Sequence, residues 1–175
     1  MRALGGPAFG PSLTPQTEAL LQRFAAEHDE LRQVLAELRA TADLIATTPD
    51  HPGAAPALAA VHRRLVQEIL PHEHAEERRL YPALATPLGS EEATATMSRA
   101  HIEIDRLAER IGTHVRLAGG GLVPRQIPDL LASLYGLDAV LRLHFSQEEE
   151  HYFALTGPGS TPVEPVVAGA PAAVR

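Results

Sequence analysis

The sequence predicts an all-α protein, an up-down-up-down antiparallel four-helix bundle with disordered N- and C-terminal tails, and three observations predict it. Apolar residues recur in steps of three and four through four long stretches. Helix-start and helix-stop residues stand at the ends of those stretches, and short turns join them, as antiparallel neighbours require. Each stretch also carries at least one histidine inside its apolar seam. The expected organisation is a mobile arm at residues 1–13, the bundle at 14–156 and a disordered Pro/Ala/Gly-rich tail at 157–175.

Thr14 followed by Pro15 marks the first helix start. The hydroxyl can accept from an orphan backbone amide, and proline at the first helical position loses nothing by lacking an N–H. Leu21, Phe24, His28, Leu31, Leu35, Leu38, Ala42 and Ile45 then form one seam that ends near Thr47, before the turn T-T-P-D-H-P-G. The second helix is expected from about Ala54 to Ala85, on the seam Leu58, Val61, Leu65, Ile69, His72, Glu76, Leu80, Ala83. Pro71 lies inside it, removes the bond to the Gln67 carbonyl and predicts a kink or local break just before His72. Pro82 and Pro87 with Gly89 close this element.

Ser90 caps the third helix, with Glu91 and Glu92 in a first turn where the helix dipole favours anions. Its seam is Thr94, Met97, His101, Ile104, Ala108, Ile111, Val115, Ala118, and the run Gly119 to Gly121 ends it. Pro124 and Pro128 lead into the fourth helix, with the seam Leu130, Leu134, Leu137, Leu141, His144, Glu148, His151, Leu155. Gly157 and Pro158 terminate it.

Composition bounds the chemistry. A chain of 175 residues, 45% hydrophobic, is large enough for one core of its own. Lys and Arg number 15 against 22 Asp and Glu, a formal charge of −7, and no basic block stands out, which argues against nucleic acid and anionic membrane as partners. There is no cysteine, so disulfides, thiolate metal sites and cysteine nucleophiles are excluded. A transition metal would have to use imidazole and carboxylate, which suits iron, manganese or zinc better than copper(I). The opening residues have no apolar stretch long enough for a signal peptide, and nothing later approaches a membrane span, so a soluble, cytoplasmic protein is expected.

The stretch L-P-H-E-H-A-E-E-R-R-L-Y-P, from Leu70 to Pro82, carries the chemistry. His72 and Glu76 stand four apart, on one helix face about one turn from each other, at seam positions where a bundle helix should carry Leu or Ile. In an antiparallel bundle His28, His72, His101 and His144 all fall about 15 to 20 Å from the same end, at roughly 1.5 Å per residue. Facing imidazoles in one layer leave several buried polar groups unsatisfied, at about 1–3 kcal/mol each, and a metal resolves that cost. Glu148 repeats the H-x-x-x-E spacing after His144, and carboxylates from two helices could each bridge two metals. Asp105 follows His101 by four residues, but Ile104 occupies the seam beside it, leaving a ligand and a helix-flank role both open. Glu73, about 100° from His72 on the helical wheel, is a weaker candidate. His151 fits a role beside the ligands or at the end of the core. His74 and His114 should face solvent, His51 lies in a turn, and His62 sits beside the seam. Tyr81, Phe24, Phe145, Tyr152 and Phe153 could close an apolar pocket around the centre, though packing explains them as well.

With these residues placed, the chain resembles the hemerythrin-like, or HHE cation-binding, family over about residues 15 to 156. The most specific parts are H-D-E-L-R at His28, P-H-E-H-A-E-E-R-R-L-Y-P around His72, A-H-I-E-I-D-R-L at His101 and H-F-S-Q-E-E-E at His144. The resemblance implies metal ligands at His28, His72, Glu76, His101, His144 and one carboxylate of the last motif. Periodicity selects Glu148 over Glu149. It further implies two non-haem iron ions, bridged by carboxylate and by oxo or hydroxo groups, that bind dioxygen or a related small ligand. The sequence departs from the oxygen-carrier pattern in two places. Asp105 stands where carriers have a second histidine on the third helix, and the fourth-helix motif carries Glu148 and Glu149 where carriers have H-x-x-x-x-D. Both departures weigh against reversible oxygen carriage.

Three functions follow, in order of preference. The first is a di-iron module that binds or senses a small ligand, iron or redox state. The second is a di-iron enzyme acting on peroxide, nitric oxide or dioxygen with an electron donor. The third is an interaction bundle in which the metal is a staple.

Overall fold

The structure, a computed structural model, describes residues 13–119 and 121–156, without the side chain of Glu91. The expected tail, and the expected arm apart from Leu13, lie outside the described residues. Four helical rods make up the fold: α1 (Pro15–Thr47), α2 (residues 54–88), α3 (Ala95–Leu117) and α4 (Ile127–His151). Short 3₁₀ turns at Glu91–Thr94 and Pro124–Gln126 lead into α3 and α4, and another at Phe153–Thr156 follows α4. No strand occurs among the described residues.

The ends follow the local chemistry. Thr14 Oγ1 accepts from the Thr17 amide at 3.1 Å with Pro15 in the first turn, so α1 begins at its hydroxyl cap. At the end of α2, Gly89 takes the left-handed conformation at φ 72°. The Ser90 amide then reaches the Ala85 carbonyl and the Gly89 amide reaches Thr86, satisfying carbonyls that the helix leaves over. Ser90 Oγ accepts from the Glu92 amide at 3.0 Å, but the turn it caps is 3₁₀, and α3 proper starts at Ala95.

In α2 the expected local break takes the form of widened turns inside a continuous helix. Leu65–Ile69 and Glu76–Leu80 are π turns. In each, the residue just before a proline, Leu70 or Tyr81, donates its amide to the carbonyl five residues back, Leu65 or Glu76. Widening relieves the clash that a proline ring makes with the carbonyl four residues back, so Pro71 and Pro82 are carried without ending the helix. The consequence is a change of phase: beyond Leu80 the interior is taken by Tyr81 and Leu84, while Ala83 is only partly buried.

Contacts between rods fix their directions. Glu27 and Glu37 of α1 meet His72 and Arg64 of α2, so later residues of one lie beside earlier residues of the other. The same reversal pairs His62 and Tyr81 of α2 with Gly112 and His101 of α3. It pairs His101 and His114 of α3 with His144 and Asp129 of α4, and His28 and Asp43 of α1 with Glu149 and Tyr135 of α4. A closed ring of four antiparallel neighbours is an up-down-up-down bundle.

The apolar interior is divided in two. The larger cluster runs from Leu31, Leu38 and Ile45 of α1 through Leu58, Leu65, Ile104, Leu134 and Leu141. A smaller cluster, including Leu21, Phe24, Leu84, Met97, Tyr152 and Phe153, closes the end where α1 begins and α4 finishes. Each fully buried Leu or Phe contributes about 1.5–3 kcal/mol. Between the two clusters lies a buried polar layer.

Candidate metal centre

The polar layer is built by one imidazole from each rod. His28, His72, His101 and His144 are all buried, with the first two rings 5.0 Å apart and the last two 4.7 Å apart, centroid to centroid. Three glutamates enter the same space: Glu73 and Glu76 from α2 and Glu148 from α4, each 1% exposed or less.

Glu76 lies in the middle. Its Oε1 is 3.2 Å from His72 Nε2 and 3.9 Å from His28 Nε2, while its Oε2 is 3.5 Å from His101 Nε2 and 3.9 Å from His144 Nε2. Glu73 Oε2 is 2.6 Å from His101 Nε2 and 2.9 Å from His144 Nε2. Glu148 Oε2 stands between the two pairs, 3.3 Å from His28 Nε2 and 3.4 Å from His144 Nε2. These approaches are close, yet they do not follow hydrogen-bond directions. His28 Nε2, His72 Nε2, both oxygens of Glu73, both of Glu76 and Glu148 Oε2 are buried without a hydrogen-bond partner among the described residues.

Outside the layer, glutamates on the helix flanks fix the ring orientations. His72 Nδ1 donates to Glu27 at 2.9 Å, His101 Nδ1 to Glu77 at 2.9 Å, and His28 Nδ1 to Glu149 at 3.3 Å. A carboxylate can only accept, so Nδ1 of each ring carries a proton and Nε2 is the nitrogen aimed inward, where loss of its own proton leaves a lone pair for a cation. His144 differs, because its Nδ1 is buried without a partner among the described residues. Aromatic rings close the His28 side: Phe145 stacks on His28 at 3.9 Å, Phe153 meets it edge-on at 4.9 Å, and Phe24 meets His72 at 5.4 Å.

The electrostatics are those of a site that holds protons until a cation replaces them. Burial pulls the three imidazolium pKa values down, but the glutamates overcome it. His72 is pushed up to about 9, His101 to about 10 and His144 to about 11. Burial likewise works to raise Glu73 and Glu76, yet the facing imidazoles hold both below the usual carboxylate range. Glu148 goes the other way, raised by burial and by the charges of Glu76 and Glu73. Burial and the Glu148 charge drive the Tyr81 phenol upward as well.

Of the residues singled out by sequence, the structure brings His28, His72, Glu76, His101, His144 and Glu148 together. It does not bring Asp105. Ile104 fills the interior position beside it, and Asp105 turns outward at 47% exposure, 3.3 Å from the half-exposed His74. Glu73 stands in the layer instead. His114, expected at the surface, is buried where the start of α4 covers it, with Nε2 donating to Asp129 at 2.7 Å. His151 is exposed, because the chain turns at Tyr152 and the interior beyond Glu148 goes to Tyr152 and Phe153.

A strict a/d seam misses Glu73, because a rod facing two neighbours buries a wider face; the E-x-x-E spacing to Glu76 is the signal that finds it. Glu27 and Glu77 look like solvated surface in the sequence, and only their pairing across helices reveals them. A surface depression of about 720 Å³ between Pro52, Pro56, Val115 and Leu122 is at the far end of the bundle and has no part in the centre.

The donor set fits a cation. Ligand atoms at about 2.0–2.2 Å from one ion stand roughly 3 Å from each other. Two groups of residues bring one donor atom each within 4.8 Å of one another: Glu73, Glu76, His101 and His144, and His28, His72 and Glu76. A cation in each group would satisfy the lone pairs that have no hydrogen-bond partner.

Fold and site together define a helical bundle of the cation-binding class, with an imidazole and carboxylate layer sealed between two apolar clusters. The family described as the hemerythrin HHE cation binding domain matches residues 19–156, and the chain belongs to that family. Comparison with curated proteins and with solved structures brought no match.

Proposed function

We propose that the centre holds two iron ions and that the protein binds or senses dioxygen or a related small ligand there. His28, His72 and Glu76 would hold one ion, Glu73, Glu76, His101 and His144 the other, with Glu148 reaching in through Oε2. The observation that carries the proposal is Glu76, whose two oxygens face different pairs of imidazoles and so fit a carboxylate shared by two ions. When bound, the iron pair would supply redox-active binding of a small ligand. The chain supplies the rest. Glu27, Glu77 and Glu149 keep the Nε2 lone pairs of three histidines pointing inward, and Phe24, Phe145 and Phe153 keep water from the His28 and His72 side. The proposed setting is cytoplasmic; no helix among the described residues is long and apolar enough to cross a membrane.

Glu73 favours the redox enzyme as the second reading. With four neutral imidazoles, three carboxylates and one hydroxide, simple charge counting gives about zero for a diferrous pair and about +2 for a diferric one. The third carboxylate stabilises the more highly charged state preferentially, and the low dielectric of the core magnifies its effect. With iron bound, such a donor set would favour the oxidised state over return of intact oxygen, and turnover would need an external electron donor. Absorption spectra of the reduced, iron-loaded chain before and after oxygen decide between these readings. A change that reverses when oxygen is removed supports binding, and consumption of oxygen with added reductant supports catalysis. No response at all overturns both and leaves a metal staple.

A further inference from the structure

Tyr81 is 4% exposed, and its hydroxyl lies in the polar layer. It donates to Glu148 Oε1 at 2.6 Å, within hydrogen-bonded distance also of His101 Nε2 at 3.2 Å, and its ring stacks on the His101 imidazole at 5.4 Å with 12° between the planes. The backbone puts it there deliberately in one respect: the π turn at Glu76–Leu80 inserts its extra residue just ahead of Tyr81, turning the phenol toward α3 and α4.

We propose that Tyr81 is a positioning residue for the metal centre, acting through Glu148. A carboxylate has two oxygens, and here they are sorted. Oε1 is taken by the phenol, whereas Oε2 has no hydrogen-bond partner among the described residues and stands between His28 and His144. Glu148 therefore offers the metals one oxygen only. Glu76, with both oxygens without a hydrogen-bond partner among the described residues, offers two. The two glutamates are unequal: Glu76 spans the pair, and Glu148 is a single-oxygen donor whose strength the phenol sets. A hydrogen bond to the outer oxygen withdraws electron density from the inner one, so Tyr81 weakens Glu148 as a donor and favours the reduced state of the centre. In this way it opposes the pull of Glu73 toward oxidation.

The inference rests on the di-iron reading, and the experiment separates the two. Wild type, Tyr81→Phe and Tyr152→Phe are loaded with iron, their metal content is measured, and their midpoint potentials are titrated. Tyr152 is the control, since its hydroxyl donates to the Ala93 carbonyl at 3.1 Å rather than to a carboxylate of the centre. A wild-type chain without two irons overturns the di-iron reading and this inference with it. With two irons in each protein, the expected result is a shift to lower potential in Tyr81→Phe and none in Tyr152→Phe. Equal potentials in Tyr81→Phe and wild type overturn the inference and leave the di-iron reading standing. A ferric charge-transfer band of tyrosinate in wild type, lost in Tyr81→Phe, also overturns it, because the phenol would then be a ligand. If Tyr81→Phe does not fold, the zinc-loaded wild type decides: a neutral phenol in the ultraviolet spectrum supports the inference, and tyrosinate absorption appearing on loading overturns it.

Discussion

Glu27 and His72 meet at 2.9 Å between α1 and α2, carboxylate to Nδ1, so a partly exposed side chain decides which nitrogen of a buried imidazole faces the metal layer. Removing such a partner from a ligand histidine costs about 10–100-fold in metal affinity. Glu27→Ala is expected to lose affinity on that scale, by competition with a chelator, while the number of ions bound stays the same. Unchanged affinity would make the Glu27–His72 contact a surface ion pair and nothing more.

Glu73 and Asp105 are opposite cases of one question, which acidic residue serves the centre. Glu73→Ala removes both oxygens from the side of His101 and His144 and is expected to empty or weaken that position, lowering bound metal by about half. Asp105→Ala, at a partly exposed site where the carboxylate faces His74, is expected to leave metal content unchanged. Elemental analysis of both variants checks this, and the reverse pattern would return Asp105 to the ligand set.

His114 and His74 separate burial from exposure at residues that a helical wheel treats alike. His114→Ala removes a buried ring and its 2.7 Å bond to Asp129, at a cost of about 1–2 kcal/mol. His74→Ala at a half-exposed site should stay within about 0.5 kcal/mol of wild type. Urea unfolding of the metal-free proteins measures both, and equal stabilities would contradict the placement of His114 under α4.

The pH dependence follows from the imidazoles. His72, His101 and His144 are held at about 9, 10 and 11 in the folded, metal-free chain, above an unfolded value near 6.5. The stability they contribute is therefore complete below about pH 6.5 and is lost as the pH rises through about 9 to 11. Glu73 and Glu76 are held low, so their contribution is present above the unfolded carboxylate value and is lost in acid. Metal-free stability should thus fall on both sides of neutrality. Metal requires deprotonated imidazoles, so loading at neutral pH should release protons and affinity should rise with pH. Calorimetry in two buffers of different ionisation heat reads the release directly; none would contradict the raised pKa values.

The four histidines are legible in sequence because a polar residue inside an apolar seam stands out wherever a helix is regular and its start is marked, as Thr14 and Pro15 mark α1. The same regularity makes the bundle legible, since turns too short for a crossover connect each rod to the next. What a wheel at 100° per residue cannot carry is a change of phase. The π turns before Pro71 and Pro82 have no sequence signal beyond the prolines, and they bring Tyr81 and Leu84 inward where a fixed period gives Ala83. Nor does a single helix show its neighbours. His114 is buried by the start of α4, Glu77 is recruited by His101 of α3, and the seam drawn through His151 continues past the point where the chain turns at Tyr152.

The central claim is that Glu76 is shared by two ions, and iron stoichiometry tests it most directly. The chain, purified without an affinity histidine tag and loaded anaerobically, is measured for iron per chain alongside Glu76→Ala. The account predicts about two irons in wild type and loss of both from Glu76→Ala, because each of the two donor groups includes this residue. A wild-type ratio of about one, or a Glu76→Ala protein that still carries the wild-type amount, would contradict it.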